Sequence, residues 1–210
     1  MSPRAIEVLK EVDLIAAEDT RHSKRLLQHY AIETRCVALH EHNEREMCQG
    51  FIERLLAGQS LALISDAGTP LISDPGYHLV QSSHAAECRV IPVPGASALI
   101  SALSVSGLPS DRFVFEGFLP AKAGARQQRL QTLNKGPRTL IFYESPHRIT
   151  ASLQDMLEVF GGARRATLAR ELTKLFETVR VGPLAQLLAW VQEDENQQKG
   201  EIVVLVHGAI

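Results

Sequence analysis

The apolar run LALIS (Leu61–Ser65) restricts the fold more than any other feature of the chain. It shows no alternation of polar and apolar residues, so both of its faces have to be covered. It stops at Asp66, inside the stretch LISDAGTPLISDPGY. Similar short runs occur as DLIAAE (Asp13–Glu18), CVAL (Cys36–Leu39) and RVIPV (Arg89–Val93), each separated from the next by a helical pattern. Strands buried on both faces and alternating with helices predict a mostly parallel α/β sheet. The helices are predicted from Ser2-Pro3, over Thr20–Tyr30, over Asn43–Ala57, from Pro75, and over Ala96–Val105. The first has Ser2 as N-cap, Pro3 at the first helical position, and Ile6, Leu9 and Val12 as its apolar stripe.

The rhythm changes after SGLPSD (Ser106–Asp111), which reads as a linker between residues 1–108 and a second α/β domain, 109–210. There FVFEGF (Phe113–Phe118) and TLIFYE (Thr139–Glu144) read as strands, with helices at Ala125–Asn134, from Ser145-Pro146 to Phe160, and from Gly182-Pro183 to Glu193. ATLAREL (Ala166–Leu172) and LFETVRV (Leu175–Val181) follow each other with no helix between them, and EIVVLV (Glu201–Val206) is the last strand. Adjacent strands without a crossover helix predict a mixed sheet. The 210 residues are 45% hydrophobic, enough to bury two such cores. The uncharged stretch Ile91–Pro109 is interrupted by Pro92, Pro94, Gly95 and Gly107, so it does not read as a membrane span. Cys36, Cys48 and Cys88 are odd in number and widely spaced, which reads as reduced thiols of a cytoplasmic protein without disulfide or metal pairing.

The candidate site residues lie where strands end, because ligands of open α/β sheets bind beyond the carboxyl ends of the strands. The DAGTP loop is placed there: Asp66 ends a strand and Gly68 lets backbone approach a ligand. Asp74 and Pro75 read instead as N-cap and first residue of the next helix. IPVPGASAL (Ile91–Leu99) repeats the strand–turn–helix step. Its backbone N–H groups can cradle an anion, and the same small residues also serve close packing. Neither loop has a dinucleotide or P-loop spacing. AEDTRHSKR (Ala17–Arg25) sets two carboxylates at a strand end before a basic helix, with helix capping by Asp19 or Thr20 as the competing role. HEHNE (His40–Glu44) lacks metal spacing and reads as a surface loop. Net charge is −2, so no global attraction to nucleic acid is expected, yet Lys122, Arg126, Arg129, Lys135, Arg138 and Arg148 face one acid, Glu144, within 121–148.

Together AEDTRHS, LHEHNE, SDAGTPLISDPGYHLV, PGASALISAL, GLPSDRFVFEGFLPAK, TLIFYESPHR, LARELTK and KGEIVVLV resemble the tetrapyrrole-methylase superfamily of AdoMet-dependent methyltransferases. AGTP stands where the tetrapyrrole enzymes typically show a Gly-Asp-Pro loop, which favours the branch that methylates a cytidine ribose 2′-hydroxyl in 16S rRNA of the small ribosomal subunit. The resemblance implies two α/β domains with S-adenosyl-L-methionine in the cleft between them, usually in a cytoplasmic homodimer. It assigns the cofactor to Gly68, Thr69 and Ile72, to Ser97 and Ala98, and to Tyr143, Leu172, Gly200 and Glu201. Asp66 either bonds the cofactor or braces its own loop. Family members open with a first strand and a Gly-Asn loop ahead of the first helix found here, and they continue past the position of Ile210. The expectation is therefore an N-terminal domain without that strand.

Glu18 and Asp19 are the candidate bases for a ribose hydroxyl, and Arg21 is the candidate phosphate holder. Arg21, Lys24 and Arg25 on one helix, and Lys122, Arg126 and Arg129 on another, are the candidate RNA contacts. No metal is expected. A small-molecule methylase of the same superfamily and a silent α/β binding module are the alternatives.

Overall fold

The computed structural model describes residues 1–209. Its contacts divide the chain into two compact units, one over Met1–Ser97 and one beginning at Ala98.

The first unit alternates helix and strand: α1 (Pro3–Glu11), β1 (Leu14–Ala17), α2 (Thr20–His29), β2 (Cys36–Ala38), α3 (Glu44–Leu56), β3 (Leu61–Ile64) and α4 (Tyr77–Ala85). The sheet runs β2-β1-β3 and both pairings are parallel, Ile15 opposite Cys36 and Ala62. The central strand β1 is wholly buried, and two apolar clusters cover its faces, one around Leu39, Phe51 and Leu79, the other around Leu9, Leu27 and Ile32. Ser2 caps α1 as expected, its Oγ accepting from Ala5 N–H. A buried carboxylate also tethers helices here: Glu44 Oε1 accepts from Leu79 N–H at 3.1 Å.

Two expectations fail in this unit. Arg89–Val93 forms no strand among the described residues, and Val90 and Ile91 stay exposed. Pro92 and Pro94 remove the N–H groups a ladder would need on that side. Helix α4 starts at Tyr77 with Gly76 in the capping position, so neither Asp74 nor Pro75 starts it. Gly76 sits at φ 130°, and a Cβ there would come within 2.5 Å of Leu63 Cδ2, so the turn requires glycine.

The second unit contains α5 (Ala98–Val105), β4 (Phe113–Phe118), α6 (Ala123–Leu133), β5 (Thr139–Glu144), α7 (Ile149–Phe160), β6 (Arg165–Arg170), β7 (Thr178–Pro183), α8 (Leu184–Glu193) and β8 (Ile202–Val206). Its sheet runs β4-β5-β8-β6-β7; β4–β5 is parallel and the other three pairings are antiparallel, a mixed sheet as expected. Leu153, Met156, Leu187 and Phe142 are among the residues closing the core on one face. Helix α5 packs on β5 and β8. The segment read as a linker is anchored within this unit: Thr167 Oγ1 donates to Ser106 O at 2.8 Å, and Thr139 Oγ1 donates to Pro109 O at 2.6 Å. The unit boundary therefore falls before α5 rather than after it. Residues 175–177, expected in a strand, lie in the turn before β7.

Candidate active site

In the first unit the ends of β1 and β3 are tied to each other. Asp66 N–H donates to Glu18 Oε2 at 3.3 Å, and Asp19 N–H donates to Asp66 Oδ1 at 3.2 Å. Asp66 therefore braces the strand ends with its side chain. Asp19 is the N-cap of α2: its Oδ1 accepts from Arg21 N–H at 2.8 Å, and its Oδ2 pairs with Arg21 Nη2 at 3.1 Å. These bonds hold the Asp19 carboxyl below the usual carboxylate range, the Arg21 side-chain bond contributing most, so it is a weak proton acceptor. Of the two carboxylates proposed as base, only Glu18 keeps an oxygen for that task. Arg21, although bonded to Asp19, leaves 91% of its side chain exposed.

Asp74, read from sequence as a helix cap, belongs to this group. It is half-buried, and burial first, then the nearby Glu18 and Asp66 carboxylates, push its pKa up to about 6; a hydrogen bond with Ser65 opposes the shift. The loop that brings it there holds Leu71 at φ 71° and Ser73 at φ 66°, a left-handed conformation that costs a non-glycine residue about 1–2 kcal/mol. The repeated Ser-Asp of the loop is the one sequence signal for this placement, and the cap rule gives it a cheaper explanation.

The cofactor candidates of the first unit lie on two facing turns. Thr69 Oγ1 donates to Ala96 O at 2.9 Å, which fixes the Gly68–Ile72 loop to the turn before Ser97. Gly68 lies at φ 85°, where a Cβ would meet only Ala96 O at 3.7 Å, and a Cβ on Gly95 would meet nothing within 4 Å. Asp66, Gly68 and Thr69 are exposed, Ile72 and Ser97 half-buried. Open backbone beside one apolar side chain fits the amino-acid and ribose parts of AdoMet, which need polar partners rather than bulk.

In the second unit Ala98 opens α5, and Tyr143 Oη accepts from Leu99 N–H at 3.2 Å, with its ring edge-on to Phe115. Leu172, Gly200 and Glu201 gather around Glu171, a residue missed from sequence. Glu171 Oε1 accepts from Glu201 N–H at 2.8 Å and from Lys174 Nζ at 3.0 Å, which keeps its carboxyl below the usual range. A Cβ on Gly200 would lie 2.3 Å from that carboxylate, so the open side of Gly200 is filled from within the protein. Gly200 is thus accounted for by packing.

The basic residues separate as well. Arg126 is 5% exposed and its Nε is 2.5 Å from Asp155 Oδ2, so it leaves the RNA-contact set. Arg129 pairs with Glu116 at 2.5 Å but keeps half of its side chain exposed. Lys24, Arg25 and Lys122 are exposed. His40 and His42 sit 6.0 Å apart, and among the described residues no group of His, Cys, Asp and Glu could hold a metal ion. No helix among the described residues is long and apolar enough to cross a membrane.

The chain is thus a two-unit α/β protein, a parallel unit with carboxylates and open loops at its strand ends followed by a mixed-sheet unit. Residues 1–188 match the tetrapyrrole (corrin/porphyrin) methylases, and the chain belongs to that family. It is 66% identical over 208 residues to "Ribosomal RNA small subunit methyltransferase I" of Pseudomonas aeruginosa, covering 99% of this chain and 74% of that protein. The protein of the same name from Vibrio cholerae is 59% identical, with 99% and 72% covered. Among solved structures, diphthine synthase superposes with a TM-score of 0.72 at 15% identity, covering 99% of this chain and 84% of that one. Uroporphyrin-III-C-methyltransferase from Thermus thermophilus gives 0.66 at 17% identity, covering 99% and 87%. These two likenesses concern the fold.

Proposed function

We propose that the chain methylates a cytidine ribose 2′-hydroxyl in 16S rRNA of the small ribosomal subunit, using S-adenosyl-L-methionine, as a cytoplasmic homodimer. The observation that carries this reading is the identity, 66% over nearly the whole chain, to a relative named a small-subunit rRNA methyltransferase. The name gives the substrate class; the cofactor, the 2′-oxygen and the cytidine come from the family resemblance of the loops.

AdoMet would supply an activated methyl on a sulfonium. Gly68, Thr69, Ile72 and Ser97 of the first unit would contact it, with Asp66 bracing their loop; Ala98, Tyr143 and Leu172 are assigned to it by the family resemblance alone. The chain's own task is to align a ribose oxygen and take its proton. Glu18 is the proposed proton acceptor, with Asp74 facing it and Arg21 offering its exposed guanidinium to a phosphate. A positioned base of this kind contributes about 10²–10⁴-fold.

The test is methyl transfer from labelled AdoMet to unmethylated small ribosomal subunits, with the product nucleoside mapped, and to tetrapyrroles in parallel. Label recovered as 2′-O-methylcytidine supports the reading. Label in tetrapyrrole alone would replace it with the small-molecule alternative. Calorimetric titration of S-adenosylhomocysteine and sedimentation velocity check the cofactor and the dimer separately.

A further inference from the structure

A cleft of about 390 Å³ lies between α2 and the segment Ile32–Cys36 that leads into β2. It falls within the size range of small-molecule sites, roughly 300–1,000 Å³. Its floor is apolar: Leu27 and Ile32 are 5% and 6% exposed, and the half-buried Cys36 continues them. Its walls carry Thr20, Lys24 and Gln28, whose side chains have no partner among the described residues, unlike Thr34, whose hydroxyl already donates to Leu9 O. The Arg21 guanidinium stands at the rim, held in one orientation by Asp19. Thr20 and Arg21, which line it, follow the Glu18 strand end directly in the chain.

An apolar floor suits the face of a base. Unpaired donors and acceptors along one wall suit its edge, and a free ammonium beside them suits its phosphate. A peptide side chain would use the floor but not the two cations, and a free anion would use the cations but not the floor. We infer that this cleft receives an unpaired nucleotide of the RNA substrate, its base on Leu27, Ile32 and Cys36 and its phosphate at Lys24. The inference rests on the ribosomal-RNA reading and adds a second point of contact beside the reacting ribose.

Cys36 makes the site testable in the full chain. Filter binding gives the Kd for small ribosomal subunits and for protein-free 16S rRNA. Alkylation of Cys36 and Cys88 by N-ethylmaleimide is then followed by mass spectrometry with each probe at roughly ten times its Kd. Cys36 should react about tenfold more slowly with either probe, as mass action requires of an occluded site, while Cys88 keeps its rate. Gln28→Trp, an exposed helix position that fills the cleft, should weaken binding about tenfold, the scale of one lost stacked base, with an unchanged circular dichroism spectrum. Binding with Cys36 still fully reactive would overturn the cleft and leave the ribosomal reading intact. Protection by subunits but not by protein-free RNA would assign the cleft to a ribosomal protein, which also overturns it. No binding of either probe would remove the ribosomal reading and this inference with it.

Discussion

Asp74 carries the clearest residue-scale consequence of the fold. Its carboxyl ionises near 3.8 in an unfolded chain and near about 6 in the folded one. Between those values the unfolded chain has released a proton that the folded chain still holds, so rising pH favours unfolding there. The contribution of Asp74 is complete below pH 4 and is lost as pH rises through 6. Asp74→Asn should therefore raise the melting temperature at pH 7.5 and change it far less near pH 4; equal shifts at both would show that Asp74 is not crowded by Glu18 and Asp66. Glu18→Gln should lower kcat by about 10²-fold or more with little change in KM, the signature of a proton acceptor. Gly200→Ala makes a purely structural case. The φ of 84° alone costs a side chain about 1–2 kcal/mol, and the Glu171 carboxylate would have to leave Glu201 N–H as well. Urea denaturation should show a loss of at least that size.

At the scale of elements, the strands were legible because central strands buried on both faces, parallel like β1 or antiparallel like β8, write themselves as unbroken apolar runs. LIAA and IVVLV are such cases and both are wholly buried. Where such a run contained a proline and was followed by another, as in RVIPV before Pro94, hydrophobicity promised a strand that the backbone did not form. The start of α4 misled for a related reason: Asp-Pro satisfies a local cap rule, but the turn through Gly76 and the left-handed Leu71 and Ser73 is set by packing against Leu63. Helix α6 gives the same lesson about charge. Its sequence offers Arg126 and Arg129 as equivalent cations, and nothing local says that Asp155, 29 residues away, buries one of them. Breaking a buried pair of this kind costs about 3–5 kcal/mol, because the remaining charge is left without a partner. Arg126→Ala should lower stability by that amount in urea, whereas Arg129→Ala, which removes a half-exposed guanidinium but leaves the nearly buried Glu116 carboxylate without it, should cost less, about 1–3 kcal/mol.

For the whole molecule, the puzzle is a chain of net charge −2 assigned to a polyanionic substrate. Ion pairs take up acids and bases in nearly equal numbers, so the fold acts not on the total but on which cations it leaves exposed together. Asp155, Glu144 and Glu116 are spent on Arg126, Arg148 and Arg129, and Asp13, whose carboxyl Ser60 holds below the usual range, ties β1 to the start of β3. Lys24, Arg25 and Lys122 remain exposed, with no ion pair among the described residues. Attraction to RNA then depends on a few mobile cations rather than on a basic isoelectric point, and each neutralised phosphate releases counterions. Binding to small ribosomal subunits should weaken steeply with salt. Lys24→Gln together with Arg25→Gln should reduce the slope of log Kd against log salt by about 1.4, near 0.7 for each single-strand phosphate no longer neutralised. A slope that the double substitution leaves unchanged would place the RNA elsewhere on the molecule, even if methyl transfer itself is confirmed.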